Sequence, residues 1–411
     1  MGSGITSYVD FKIIQRAFVA YEGGVHAVPS SKADVFKSNF GPLEKRRLGM
    51  FLQLCLPPNF LTPGQSGVPQ RKRRAGGSDT PTLSPELSAA LAENRGQSFE
   101  EFLESRKLSK TLRSMIAYGI AGMKSVSECE NTSAKHGVNE MMNYVMAVGK
   151  YGPSPYIYPM YGVSEFVQAF CRYAAVNGAL YMLRQSVVDI ATDESTRRIK
   201  AVTLSGGERV YAHHVVSDIQ QLPTTWQKGT QVGQERVRRA IFVTDRPIEV
   251  PMGELSAEEE AGLGITDMCL TMAPGCSNNV AAVSVLQLSH GMRVCPEGHY
   301  LVHLTAPYTE TAKTDIDATA AFLFENYGQA MPQREETSLK EGDDGKQEGD
   351  GDDQEKEKEI EAEVKSAREE KNVGKPQVLW RCDFVLAAPF YAGHGEFSRK
   401  YLHFCQNIFY C

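Results

Sequence analysis

Residues 151–184 read YGPSPYIYPMYGVSEFVQAFCRYAAVNGALYMLR, and the fold turns on how that stretch divides. Its first third carries Pro153, Pro155 and Pro159. Proline fixes φ, lacks the N–H a helix needs and pushes the residue before it toward extended geometry, so 151–161 reads as a stiff, aromatic connector. From Ser164 or Glu165 the pattern changes. Phe166, Ala169, Phe170, Tyr173, Ala174 and Asn177 recur at three- and four-residue spacing, with an acid in the first turn and Gly178 as the stop. That predicts an amphipathic helix, followed by a short apolar strand at 180–183. Glu165, Gln168 and Arg172 fall at i, i+3 and i+7 and share the opposite face. A carboxylate, an amide and a guanidinium in one row suit a docking surface; the same spacing also describes an ordinary solvated face.

Upstream, residues 98–150 keep helical periodicity: Phe99, Phe102 and Leu103, then Leu112, Met115 and Ile116, then Val138, Met141, Met142 and Val145. Small residues and methionines dominate these apolar faces. Because methionine has three rotatable bonds and a polarizable sulfur, such an interior suits either a plain helical core or one that parts to admit a lipid. Nearer the N-terminus, residues 9–21 and 25–28 flank the turn Glu22-Gly23-Gly24 as a β-hairpin, and 43–54 is a further amphipathic helix. Downstream, 187–192, 200–204, 209–211 and 214–217 form a β-meander punctuated by Asp193-Glu194 and Gly206-Gly207. Further strands are expected at 236–244, 280–288, 299–305 and 377–386, with a helix at 316–327.

Two segments stand apart in composition. Residues 57–95 are rich in Pro, Gly and Ser and hold Arg71-Lys72-Arg73-Arg74, so they are read as a disordered insertion whose basic tetrad is either a solvated loop or a nuclear-import or anionic-surface tag. Residues 334–371 carry 16 acidic and 8 basic side chains, a local −8 within a net charge of −6. The rest of the chain is therefore near neutral, which argues against an extended nucleic-acid groove.

Hydrophobic residues make up 42% of the 411, and no apolar run approaches the roughly 20 residues a membrane span needs. Nine cysteines lie scattered without CxxC pairs or zinc-type Cys/His spacing, which favours reduced thiols and a cytosolic setting over a disulfide frame. No metal site is expected, since His213 and His214 are adjacent and cannot share a helix face. No cofactor is expected either: Gly2-Ser3-Gly4 has no preceding strand and no third glycine, so the dinucleotide fingerprint is lacking.

Several rare blocks then occur in a collinear order: SYVDFK at 7–12, VPSSKADVF at 28–36, LEKRRL at 43–48, the 151–184 stretch, RRAIFVTDRPI at 238–248, GHYLVHLT at 298–305 and KPQVLW at 375–380. Together they resemble the family of Rab GDP-dissociation inhibitors and Rab escort proteins, whose connector and helix run YG-x-x-P-[YF]-[LI]-[YF]-P-[LI]-YG-x-GELPQ-x-F-x-R. The escort branch, component A of Rab geranylgeranyltransferase, fits better than the inhibitors. Against the family's Gly-Glu-Leu-Pro-Gln, this chain has Ser164-Glu165-Phe166-Val167-Gln168: charge and amide persist, the first-turn proline does not. The family pattern also begins with a strand and a glycine-rich turn, and this chain joins it only at Ser7.

The resemblance implies an α/β fold. It would comprise a Rossmann-like, FAD-binding-like mixed-sheet domain at 1–44 and 151–330, its first part lacking, a small helical domain at 45–150, an acidic linker at 331–375 and a last strand and tail at 376–411. It implies a non-catalytic accessory protein. Such a protein binds GDP-bound Rab GTPases, presents them to the Rab geranylgeranyltransferase heterodimer, and carries the geranylgeranyl lipid with Rab to membranes in a transient contact. Carried over by motif, Glu165, Gln168, Arg172, Leu180 and Met182 are the Rab-binding residues, and Tyr144 lies where escort proteins meet the transferase. The resemblance assigns no lipid-binding residue. The competing readings are a Rab GDP-dissociation inhibitor, a flavin-dependent oxidoreductase suggested by the implied fold, and an inactive fragment.

Overall fold

The computed structural model describes residues 4–55 apart from 23, 31–33, 36–37 and 39; residues 85–324 apart from 94–95, 149–150, 153, 194, 197, 213, 218–221, 228–231 and 250–265; and residues 375–391. The basic tetrad at 71–74, the acidic run to 371 and the tail beyond 391 lie outside the described residues. The chain forms two compact units. The larger takes its described residues from Phe11–Tyr161 and Val237–Leu386, the smaller from Met1–Asp10, Gly162–Arg236 and Ala387–Cys411.

In chain order the strands begin with β1 (Phe11–Ile13), β2 (Arg16–Tyr21), β3 (Gly24–Ala27) and β4 (Ile157–Pro159). A meander follows as β5 (Val187–Thr192), β6 (Ile199–Leu204) and β7 (Arg209–Tyr211), and then come β8 (Val232–Thr244), β9 (Met268–Met272), β10 (Val283–Ser289), β11 (Tyr300–Pro307) and β12 (Val378–Tyr391). The helices of five or more residues are α1 (Pro42–Cys55), α2 (Pro85–Glu93), α3 (Phe99–Ser105), α4 (Lys110–Ser114), α5 (Val126–Asn131), α6 (Ala134–Ala147), α7 (Val163–Val176) and α8 (Ala312–Leu323), with a π-helical turn at Met115–Ile120.

Seven strands make one mixed sheet in the order β12-β8-β11-β10-β9-β2-β3. Its pairs β2–β3, β9–β10, β10–β11 and β8–β11 are antiparallel, and β2–β9 is parallel. Alternate residues point to opposite faces. Phe242, Leu270, Val285, Val302 and Leu304 therefore line one face and pack with Ile316, Ala320 and Leu323 of α8. On the other face Ala17, Val19 and Tyr21 of β2 enter a second core with Phe51, Phe99, Phe102, Leu112, Met115, Ile116, Met141 and Met142. Both sides of β2 are buried, which is why RAFVAY shows little polar alternation.

That double burial joins the helical layer to the sheet. The described residues of 45–150 are mostly helical, and the sheet supplies one wall of their core, so they lie in the larger unit together with it. The strand expected over 9–21 is broken: fully buried Ile14 and then Gln15 separate β1 from β2, and β1 pairs with β4 instead. Residues 85–93, within the insertion expected to be disordered, instead form α2, and Leu87 is wholly buried in the helical core. Strand β9 lies in a segment with no sequence-predicted element, and the strand expected at 214–217 does not form.

Local chemistry fixes the helical layer. Ser98 and Glu101 make a reciprocal capping box at the start of α3, Ser98 Oγ accepting from Glu101 N at 3.2 Å and Glu101 Oε2 accepting from Ser98 N at 2.9 Å. Helices α3 and α6 then approach so closely that a Cβ on Gly137 would come within 2.3 Å of the Phe99 ring. Only glycine fits there.

Candidate functional site

The connector before α7 is held by backbone pairing. Strand β4 runs antiparallel to β1, with Phe11 opposite Pro159 and Ile13 opposite Ile157, and Ile14 N donates to Tyr156 O at 3.1 Å. Ser154 Oγ, buried, donates to Ile14 O. Tyr161 takes a left-handed φ of 65° and its N–H donates to Met292 O at 3.0 Å. Gly162 follows at φ 102°, a conformation that L side chains rarely adopt, and is the N-cap of α7. Helix α7 therefore opens at Val163, one residue before the sequence-predicted Ser164, with Glu165 in its first turn beside the positive end of the helix dipole. It closes where expected, Gly178 N donating to Ala175 O with Gly178 at φ 90°.

The expected burial of α7 needs correction. Of its predicted apolar face only Ala169 is buried, packed with Ile5 and Val9; Phe166 is half-buried against them. Phe170 stands 41% exposed, and Tyr173, Val167 and Val176 are exposed as well. The reason is geometric. Within the smaller unit α7 rests on the narrow segment around residues 5–9, which covers only a strip of a 14-residue helix.

The predicted polar row is real. Glu165, Gln168 and Arg172 sit on one face of α7, with Glu165 half-exposed and the other two exposed. Glu165 and Gln168 make no side-chain hydrogen bond or ion pair among the described residues. Arg172 places its guanidinium 5.4 Å from the centre of the Tyr8 ring, a cation–π contact that holds it at the surface. Tyr8 in turn meets Tyr173 edge-on at 6.4 Å.

Residues 180–183 do not form the expected strand. An isolated strand has unpaired backbone groups, and no neighbour in the meander β5-β6-β7 pairs with this segment. Leu180 and Leu183 stand 87% and 85% exposed, with Met182 and Tyr181 exposed between them. Hydrogen bonding to the Cys171 side chain pushes the Tyr181 phenol up. Leu180 and Met182 thus belong to an apolar surface directly after the polar row. Sequence reasoning missed other exposed apolar side chains of the smaller unit, Val176, Val188 and Tyr211, because each reads as an ordinary helix or strand residue.

Tyr144 is elsewhere. It lies near the end of α6 in the larger unit, half-buried, and meets Tyr156 edge-on with ring centres 6.0 Å apart. Burial raises the pKa of both phenols, so each keeps its proton. The described residues hold no group of three or more His, Cys, Asp or Glu side chains arranged for a metal. No helix among them is long and apolar enough to cross a membrane.

This geometry has relatives. The human "Rab proteins geranylgeranyltransferase component A 1" is 29% identical over 326 residues, covering 79% of this chain and 43% of that protein. The Saccharomyces cerevisiae "Rab GDP-dissociation inhibitor" is 25% identical over 319 residues, covering 77% of this chain and 62% of the relative. The chain thus spans less than half the length of the component A protein it matches. Among solved structures a Rab GDI from Plasmodium falciparum superposes with a TM-score of 0.53 at 18% identity over 77% of this chain and 65% of that one, which is a likeness of fold. Residues 92–329, more than half of the sequence and including both α7 and most of the mixed sheet, match the model of the family "GDP dissociation inhibitor", and the chain belongs to that family.

Proposed function

We propose that this chain acts as an escort-type accessory protein for Rab GTPases. It binds them in the GDP form, presents them to the Rab geranylgeranyltransferase heterodimer and accompanies the lipidated product to membranes, with no bond made or broken by its own residues. The observation that carries this reading is the surface of α7 and the segment after it: Glu165, Gln168 and Arg172 in one outward row, followed by exposed Leu180 and Met182. Charge-assisted hydrogen bonds from a rigid helix fix the register of a protein partner, and a neighbouring apolar patch supplies burial area.

The division of labour follows from the two units taken separately. The polar row recognises the GTPase. The larger unit offers a methionine-bearing helical core, Met115, Met141 and Met142, whose adaptable side chains suit a geranylgeranyl chain at about 0.8 kcal/mol per buried CH₂. Tyr144, on the margin of that core, is assigned to transferase contact. A proline-free first turn leaves α7 dependent on Gly162 for its entry angle.

Titrating a GDP-loaded Rab with the purified chain tests this directly. Saturable binding that Glu165→Ala and Arg172→Ala each weaken by about tenfold supports the assignment; affinity unchanged by both removes it. A second reading, a recycling inhibitor of already lipidated Rab, draws on the yeast relative, of which this chain covers the larger share. The two separate in a prenylation assay. An escort makes lipid transfer by the heterodimer depend on its presence, and an inhibitor does not.

A further inference from the structure

Strand β12 is the terminal strand of the seven-stranded sheet, bonded to β8 on one side, and among the described residues no strand pairs with its other edge. Natural sheets blunt such an edge with proline, lysine or very short strands. The proline of β12, Pro389, falls near its end; residues 378–386 before it read VLWRCDFVL, with neither proline nor lysine, and Leu379, Trp380 and Val385 are 41%, 50% and 43% exposed.

The order of those residues is self-complementary. When two copies run antiparallel about Cys382, Arg381 of each faces Asp383 of the other, Trp380 faces Phe384, Leu379 faces Val385 and Val378 faces Leu386. Cation meets anion, aromatic meets aromatic and aliphatic meets aliphatic, the combinations that stabilise directly opposed residues on a sheet. Arg381 is already held in place: its Nη2 lies 2.8 Å from Asp317 Oδ1 and 2.9 Å from Asp383 Oδ1, and its guanidinium sits 5.4 Å from the Phe242 ring centre. The pair is preorganised on one face of the strand, and a second copy gathers two Arg381, two Asp383 and two Asp317 side chains into one ionic cluster. A one-residue slip of register sets Arg381 opposite Cys382 or Phe384 and loses the ionic and aromatic matches, keeping only an aliphatic one.

We propose that β12 pairs antiparallel with β12 of a second copy of this chain, centred on Cys382, so that two seven-stranded sheets join edge to edge. The occupant is a second copy because the charge pattern and the side-chain classes of this edge are matched by its own reversal. Directly opposed residues in an antiparallel pair have Cα atoms about 4.5–5.5 Å apart and side chains on the same face. That separation lies within the range a disulfide spans, so the two Cys382 thiols face each other across the axis.

Sedimentation velocity of the full 411-residue chain, kept reduced, is the first test. A strand pair of this size is a small interface, so reversible dimerisation with Kd on the order of 10 µM is expected. Val385→Lys, at an exposed position of the outer edge, sets a lysine opposite Leu379 twice per dimer and is expected to raise that Kd at least about tenfold, while circular dichroism shows the fold unchanged. Mild oxidation with copper phenanthroline should give a covalent dimer whose linked peptide maps to Cys382 on both chains. Cys382→Ser should abolish that product and leave the sedimentation dimer in place. A chain that stays monomeric well above 10 µM leaves the edge to an extended segment of some other protein and overturns the proposal. So does a dimer indifferent to Val385→Lys, or a disulfide that maps elsewhere.

Discussion

Helices α6 and α7 follow one another in the chain, have the same length and carry similar apolar periodicity, yet they meet opposite fates. Val138, Met141 and Met142 of α6 are buried against α3 and the π-helical turn, with β2 closing the far side of that core. Helix α7 keeps Ala169 covered and leaves Phe170, Tyr173, Val167 and Val176 exposed. What differs is the surface each helix is offered within its own unit, a bundle in one case and a five-residue segment in the other. Periodicity specifies which face of a helix is apolar; it does not specify what covers it. An apolar face left open beside an ordered polar row has the composition of a partner surface.

The largest expected effect breaks that comparison if it fails. Phe102→Ala in the helical core should cost about 3–5 kcal/mol of unfolding free energy, and Phe170→Ala, on the open face of α7, under about 1 kcal/mol. Urea titrations of the two variants measure this. Equal losses would mean that α7 is as firmly covered as α3.

Acid sensitivity of the larger unit comes next. His303 on β11 faces Ile241 of β8 and Leu286 of β10, with Arg239 nearby, and neither ring nitrogen has a hydrogen-bond partner among the described residues. Burial first, and then the Arg239 charge, pushes its pKa down from 6.5 to about 4. A lowered folded-state pKa means the unfolded chain takes up the proton first as pH falls. The stability held above pH 6.5 is therefore lost between about 6.5 and 4, roughly 3 kcal/mol in all. His303→Leu should flatten that stretch of the stability–pH curve, and an unchanged slope would place the acid sensitivity elsewhere.

A smaller effect sharpens the account of the buried helix. Gly137→Ala on α6 drives a methyl into the Phe99 ring and should cost about 1–3 kcal/mol despite alanine's better helix propensity. A stabilised variant would show that α3 can yield at that crossing.

Most of this architecture was legible in the residues. The turn of the β2–β3 hairpin, the three strands β5–β7 of the meander, α1 and α7 follow from turn residues and periodicity close to their observed bounds. The polar row of α7 was legible because three residues at helical spacing share a face whatever the helix packs on. Strand β9 was not, since MCLTM is short and buried on one side only by virtue of distant partners. Residues 180–183 read as a strand on apolar character alone, which makes one only when a neighbour supplies hydrogen bonds, and within the meander none does. The joining of the helical layer and the sheet into one unit was illegible for the same reason: that β2 serves two cores is decided by contacts between residues far apart in sequence.

The central claim is that the α7 row recognises a partner instead of supporting the fold, and one paired measurement on Arg172→Ala tests it. Removing a cation–π contact at an exposed ring should change unfolding free energy by no more than about 1 kcal/mol, while affinity for a GDP-loaded Rab falls about tenfold, equivalent to roughly 1.4 kcal/mol. A variant that binds Rab as tightly as the parent chain, or that loses affinity only in step with lost folding, contradicts it.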